Sequence, residues 1–165
     1  MLDHFKKFAL YNRWANDRLY SAIAELSSEE QHQDLGAFFG SLNGTLNHVL
    51  VGDLLWMERF DGKGPKPATL DTVLHEDFKA LKIAREEADE RLSRLVSACS
   101  EDYLCSYIDY KTSAGIACRD RVSDMLGHMF NHQTHHRGQC HHMLSQLGKS
   151  PPPLDIIYLL REMDQ

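Results

Sequence analysis

Three histidines fall within five positions of the segment NHQTHHRGQ, residues 131–139. Two of them, His132 and His136, are four residues apart, so in a helix they share one face about one turn apart. That separation lets both imidazoles reach one ion, at ~2.0–2.1 Å if it is zinc. On a helical wheel at ~100° per residue, both also lie within the apolar face of the segment. A metal site is therefore one interpretation, and histidines with structural or surface roles are the alternative.

A site with three protein ligands needs a third residue from another element. His48 is the histidine that lies in the middle of a strongly apolar stretch, residues 41–59. Gly44 and Gly52 flank it four positions to either side, which predicts space beside its ring. Asp53 falls ~140° around the helix from His48, outside such a site. The alternative is that His48 is a core histidine with ordinary hydrogen bonds.

Gln139 falls close to the predicted ligand face, about one helical turn beyond the ligands. Its amide could hydrogen-bond a bound water or a substrate, so it is the candidate catalytic residue, with an ordinary structural glutamine as the alternative. His128 and His135 fall on the flank of the apolar face. His141 falls on the opposite side, where we expect it to meet solvent.

Four long helices must position these residues. The first is predicted over residues 3–26, where apolar side chains recur at helical spacing. Residues 27–40 are predicted to form a loop, and residues 41–59, apolar on most sides, are typical of a buried bundle helix. After a Gly- and Pro-rich loop, a third helix ends near residue 98, with Asp71 as its predicted N-cap.

The segment 101–119 differs from the rest, because it is rich in Tyr and contains a Ser-Ala-Gly turn signal. We expect a short hairpin near residues 103–118 or an extended crossover. Asp120 is the predicted N-cap of a fourth helix that ends near Leu147, with Gly148 as its stop. A short apolar helix follows the three prolines. The sequence thus predicts one all-α domain over residues 1–165, a four-helix bundle with a short C-terminal helix.

Composition narrows the class of protein. The formal net charge of −6 argues against a nucleic-acid-binding domain that relies on attraction to phosphates. No apolar run approaches the ~20 residues of a membrane span, and the N-terminus lacks the apolar core of a secretory signal. None of the four cysteines forms a CxxC pair, so we expect no thiolate zinc site, a reduced cytoplasmic location, and a core position for Cys140.

The segments LNHVL and HMFNHQTHHRGQ resemble the DinB/YfiT-like superfamily of small bacterial bundle proteins, the damage-inducible family and not the DNA polymerase of the same name. LYNRWANDRLY, DYKTSAG and PPPLDIIYLLRE are similar to the opening, the strand-like insert and the ending of that family, so the resemblance spans essentially the whole chain. It implies a three-histidine metal site. The matching positions are His48, His132 and His136, with His135, Arg137, Gly138 and Gln139 completing the motif without being ligands.

The resemblance also implies chemistry, because some relatives are metal-dependent enzymes that use low-molecular-weight thiols as S-transferases or isomerases. We expect a divalent metal ion, with zinc or nickel ahead of iron, copper or manganese. The expected reaction is transfer of a small thiol to an electrophile, with a hydrolase or a non-catalytic metal-binding stress protein as alternatives. We also expect a homodimer, since the apolar surface of the second and terminal helices exceeds what one bundle interior covers.

Overall fold

Four long helices dominate the computed structural model of the protein, which describes residues 1–164 and adds three short helices and a two-stranded sheet. Helix α1 packs against α4 and α6, and α3 packs against the same two helices, so the long helices close into a bundle. The predicted all-α four-helix bundle is confirmed. In chain order the elements are α1 (Leu2–Ala24), α2 (Ser28–His32), α3 (Leu42–Asp61), α4 (Phe78–Ala98), α5 (Glu101–Cys105), β1 (Tyr107–Lys111), β2 (Ala117–Arg121), α6 (Val122–Gln146) and α7 (Ile156–Met163).

The segment predicted as a loop over residues 27–40 contains helix α2, so that prediction was wrong in part. The cause is a capping box, in which the Ser27 hydroxyl accepts from the Glu30 amide while the Glu30 carboxylate accepts from the Ser27 amide. These reciprocal bonds satisfy two amides that a helix start leaves without partners. The next long helix begins at Leu42 as expected, capped by Ser41.

The predicted N-cap of the third long helix was also wrong. Asp77, not Asp71, caps α4, by accepting from the backbone amide of Ala80 at 2.8 Å. The preceding segment cannot turn into helix, because the amides of Leu74 and His75 donate to the Asn47 side chain at 2.8 and 3.0 Å. Those bonds hold the chain before α4 against helix α3.

A small hairpin forms the crossover before α6, as expected. Strands β1 and β2 pair antiparallel, with Tyr107 opposite Arg121 at the end of the ladder. Asp120 therefore lies in β2 and is not the predicted N-cap; its carboxylate accepts from the Tyr110 hydroxyl at 2.7 Å. Helix α6 begins one residue after the ladder ends, and it stops before Gly148, whose φ of 71° suits glycine.

The bundle core is apolar except for one buried polar layer. Arg85 of α4 lies between Asp53 of α3 and Asp89 of its own helix, at 2.5 and 2.9 Å. Arg137 of α6 donates to Asn12 of α1 at 2.6 Å. These groups come from all four long helices, so the layer crosses the whole bundle at the level of the histidine segments.

The C-terminal helix α7 lies on the outside of the bundle, where Leu159 packs against Tyr11 and Ala15 of α1. Its amphipathic sequence accounts for both its helical structure and this contact. Within residues 1–164, no helix combines the length and the apolar character that crossing a bilayer requires.

Candidate metal centre

Three histidine side chains from two adjacent helices converge at one end of the α3–α6 interface. His48 comes from α3, and His132 and His136 come from successive turns of α6. One ring nitrogen from each lies within 4.8 Å of those of the other two. The Nε2 atoms of His48 and His132 are 3.0 Å apart. His48 and His136 are each only 7% exposed, so the three nitrogens face a site that is largely shielded by protein.

Hydrogen bonds on the far side of two rings fix their orientation. The Nδ1 atom of His48 lies 2.8 Å from the Leu70 carbonyl oxygen, an acceptor, so Nδ1 carries the proton. The Nδ1 atom of His136 lies 2.7 Å from Oε1, the side-chain amide oxygen of Gln139, and carries its proton for the same reason. Both Nε2 atoms are thereby left as lone-pair donors pointing into the site. This arrangement is typical of metal-ligating histidines.

The donor set fits a divalent metal ion. Two nitrogens that share one ion at ~2.0–2.1 Å lie ~2.9–3.4 Å apart, which matches the His48–His132 separation. Burial lowers the pKa of His132 to about 3, with the nearby rings adding to the effect, and burial lowers the pKa of His136 to about 4. Burial also lowers the pKa of His48. All three imidazoles are therefore neutral near pH 7, the state in which histidine binds a metal.

Glycines make room for this arrangement, although not as predicted. A Cβ atom on Gly52 would lie 3.1 Å from Cε1 of His132, so this glycine accommodates the His132 ring and not that of His48. Gly44 instead allows close approach of the Phe39 carbonyl oxygen. The Phe39 ring then stacks on His48 with 3.8 Å between ring centroids, filling the space that the sequence predicted beside His48.

The centre opens into a cavity of about 910 Å³ between α3, α6, the hairpin and the loop before α3. The wall is largely aromatic and apolar, and its residues include Phe38, Phe39, Leu55, Trp56 and Tyr110. Since the three Nε2 atoms face this space, a molecule that enters the cavity can approach an ion held by the histidines. A cavity of this size accommodates a small organic substrate.

Gln139, the candidate catalytic residue, lies on the cavity wall with both ends of its amide engaged by histidines. Its oxygen accepts from His136, and its nitrogen lies 3.2 Å from Nε2 of His135. In this geometry Gln139 orients His136. His128 and His135 are exposed and line the cavity beside the centre, matching their predicted place on the flank.

Other predicted positions lie away from the centre. His141 is half-buried where exposure was expected, and it does not line the cavity. Cys140 is fully buried in the core, as predicted, and burial raises the pKa of its thiol to about 12. Asp53 is buried in the polar layer, outside the site as predicted, and burial raises the pKa of its carboxyl to about 6.

Sequence reasoning missed several residues of the cavity. Leu70, whose carbonyl orients His48, belongs to a loop whose path no local pattern reveals. Arg59 could have been found, because eleven residues at ~100° each bring it back to within ~20° of His48 on the α3 wheel. Phe38 and Phe39 carried only the signal of two adjacent aromatic residues in a short loop.

Comparison with known proteins agrees with this architecture. The chain is 35% identical over 167 residues to Protein DinB of Bacillus subtilis (strain 168), with 94% of this chain and 92% of that protein covered. It superposes on the crystal structure of a DinB-like protein from Bacillus cereus ATCC 10987 with a TM-score of 0.61 and 19% identity, covering 84% of this chain and 89% of the other, which supports the fold. The DinB family matches residues 1–164, so the chain belongs to the DinB family.

Proposed function

We propose that the protein is a metal-dependent enzyme that transfers a small thiol to an electrophilic carbon. One observation carries the proposal: three neutral histidine nitrogens converge on one point at the floor of an open, largely apolar cavity. A divalent ion bound by three protein ligands retains open positions and lowers the pKa of a thiol that binds there toward neutrality. An all-imidazole set suits zinc, nickel, iron or copper, and of these we propose zinc or nickel.

The residues of the chain have separate tasks in this reaction. His48, His132 and His136 hold the ion, while the Leu70 carbonyl and Gln139 keep two of the rings in their ligating orientation. The aromatic wall binds the organic part of the electrophile and excludes water from it.

The reaction balances without an added oxidant or reductant. The thiol loses its proton to solvent, and a sulfur lone pair forms the new carbon–sulfur bond. The electron pair of the broken bond departs with the leaving group: a halide leaves as the free anion, and the oxygen of an opened epoxide takes up a proton from solvent. Fixing the thiolate beside a bound electrophile raises the rate by proximity and orientation, and the cavity wall provides both.

The test incubates metal-loaded protein with cysteine, glutathione or coenzyme A and a panel containing an aryl chloride, an alkyl halide and an epoxide. We expect thiol consumption above the rate of the metal-free protein, and His48→Ala should behave like the metal-free protein. His141→Ala is the matched control, because His141 lies on α6 outside the cavity. If no thiol is consumed above the metal-free rate, the proposal fails, and electrophile consumption without thiol would identify a hydrolase instead.

A further inference from the structure

A second polar feature of the same cavity lies toward its other end, away from the histidines. The guanidinium carbon of Arg59 lies 4.2 Å from the centroid of the Trp56 ring and 4.6 Å from that of Tyr110. One aromatic ring comes from α3 and the other from the hairpin. The cation therefore lies against two rings that stand edge to face with each other, and it is half-buried and lines the cavity. Such stacking holds a guanidinium plane in place while leaving its N–H groups available.

Arg59 has a charge that the protein does not neutralise by direct contact. No carboxylate of residues 1–164 lies within 4 Å of its guanidinium nitrogens, and the adjacent Glu58 pairs with Lys66 at 2.5 Å. Burial lowers the pKa of Arg59, which reflects lost hydration, yet a guanidinium remains charged near neutral pH. By contrast, Arg91 of α4 contacts the carboxylate of Asp61 at 3.0 Å.

The cavity as a whole favours an anion. Within the described chain, Asp71 is the one carboxylate on its wall, and that side chain is exposed. Arg59 balances this charge, the three histidines of the centre are neutral, and an ion at the centre would add two positive charges. With an ion bound, the cavity would thus be positive inside a protein of net charge −6, so the preference is local and not a property of the whole surface.

The distance from Arg59 to the three histidines determines how long a molecule must be to contact both. His48 and Arg59 lie on the same face of α3, eleven residues or ~16 Å apart along the axis. Side chains on a helix lean toward its N-terminus, which brings the guanidinium closer to the histidines. A row of side-chain rings connects Arg59 to the histidine centre along the cavity wall. The ring centroid of Trp56 lies 5.0 Å from that of His128, which in turn lies 5.9 Å from that of His132.

We propose that Arg59, held against the rings of Trp56 and Tyr110, binds a carboxylate of the substrate whose reactive end reaches the three-histidine centre. The inference rests on the proposed function for its account of the reactive end. The substrate is accordingly a small carboxylic acid with ~10 Å between its carboxylate and its reacting atom. The carboxylate matches the planar fork of the guanidinium and can belong to the thiol or to the electrophile.

The test uses probes with a carboxylate at one end. Binding of mercapto-octanoate to the metal-loaded protein is compared by calorimetry with binding of mercapto-octanol, which is matched in length but uncharged. We expect the acid to bind ~10–100-fold more tightly, as charge-assisted hydrogen bonds provide. Mercapto-propionate is too short to span the cavity and should gain no such preference over its alcohol.

Variants separate recognition from packing. Arg59→Gln should abolish the preference for the acid, and Arg59→Lys should retain part of it, with metal content unchanged in both. Arg119→Gln is the matched control, since Arg119 also lies over a tyrosine ring, 5.6 Å from the centroid of Tyr107, but is exposed outside the cavity. High ionic strength should weaken the preference in the wild-type protein, a measurement that needs no variant.

Equal affinities of acid and alcohol for the wild-type protein, or a preference that survives in Arg59→Gln, would overturn the proposal. Octanoate and octanol, tested on the metal-free protein, separate this result from failure of the proposed function. If octanoate is preferred only when Arg59 is present, but the thiol of mercapto-octanoate adds no affinity in the metal-loaded protein, the carboxylate site stands and the thiol chemistry fails. A mercapto-octanoate advantage that needs both Arg59 and metal supports both proposals.

For electrophiles, the same comparison with chloro-octanoate and chloro-octanol shows which substrate carries the acid.

Discussion

Replacing Gly52 with alanine tests whether the histidine centre depends on close packing between α3 and α6. The added Cβ would lie 3.1 Å from Cε1 and 3.6 Å from Nδ1 of His132. Favourable carbon–carbon contacts are at ~3.5–4.0 Å, so the ring must retreat by ~0.4 Å or more. Metal–ligand distances tolerate only ~0.2 Å. The substitution therefore displaces one ligand without removing any ligand atom.

Two opposing effects give the expected magnitudes. Alanine is favoured over glycine within a helix by ~0.8–1.0 kcal/mol, which offsets the crowding in the metal-free protein. The free energy of unfolding of the metal-free variant should thus stay within ~1 kcal/mol of that of the wild type. Metal affinity should fall ~10–100-fold, the usual effect of disturbing the support of a ligand, which corresponds to ~1.4–2.7 kcal/mol.

Competition with a chromophoric chelator measures the metal affinity, and urea denaturation measures the stability of the metal-free protein. Gly138→Ala is the matched control, because it also replaces a glycine within the bundle helices but its Cβ meets nothing within 4 Å. That variant should bind metal like the wild type and gain stability. Unchanged metal affinity in Gly52→Ala, or an equal loss in Gly138→Ala, would show that this contact does not position the ligand.

Three further predictions concern the orienting shell, pH and assembly. Gln139→Leu should weaken metal binding ~10–100-fold by removing the acceptor for His136, whereas Gln139→Glu, which keeps an acceptor, should bind metal at least as well as the wild type, both measured by chelator competition. In the metal-free protein, the pKa values of His132 and His136 lie well below 6.5, the ordinary pKa of a histidine. As the pH falls below 6.5, these two histidines therefore take up protons in the unfolded chain while they stay neutral in the folded protein. Stability should therefore fall as pH drops from 6.5 toward 4, by ~1 kcal/mol per histidine at pH 5 after allowance for solvent screening, and urea titrations that show no such loss would contradict the shifts. We expect a homodimer, since Ile157 and Tyr158 of α7 are 44% and 40% exposed, and a monomer mass by light scattering at micromolar concentration would contradict it.

The long elements could be predicted from the sequence because their signals are local and repeated. Apolar spacing located all four long helices, and Gly148 marked the end of α6 because a left-handed residue there favours glycine. The N-caps of α4 and α6 could not be chosen in the same way. Asp71 and Asp120 carry the same side chain as the true cap Asp77, and only contacts distant in sequence, to Asn47 and to β1, decide among them.

The same distinction applies to the site. Helical spacing placed His132 and His136 on one face, and the apolar surroundings of His48 singled it out, so the sequence predicted the three residues that the structure brings together. Gln139 was correctly placed near them, but its hydrogen bond to His136 depends on side-chain orientation, which a wheel does not contain. The acceptor for His48 is a backbone carbonyl, and every residue has one, so sequence offers no signal for Leu70.

The buried polar layer explains how two helices hold three nitrogens in one place. Two positions at the site are each followed in the chain by a buried residue of the polar layer: Gly52 precedes Asp53, and His132 precedes Gln133. Gln133 donates to Asp53, so a hydrogen bond joins α3 to α6 directly behind the centre.

Arg137, the neighbour of His136, extends this connection by donating to Gln133 at 3.2 Å and to Asn12 of α1. In the same layer Arg85 pairs with both buried carboxylates, Asp53 and Asp89, and buried charges of this kind are stable in a core only when paired. A rotation or slip of α6 against α3 would break the Gln133–Asp53 hydrogen bond and leave buried polar groups without partners, at a cost that apolar packing alone would not impose. The register of the ligands is thus set from the core side, which leaves the cavity side of the helices free to present the ligands to a substrate.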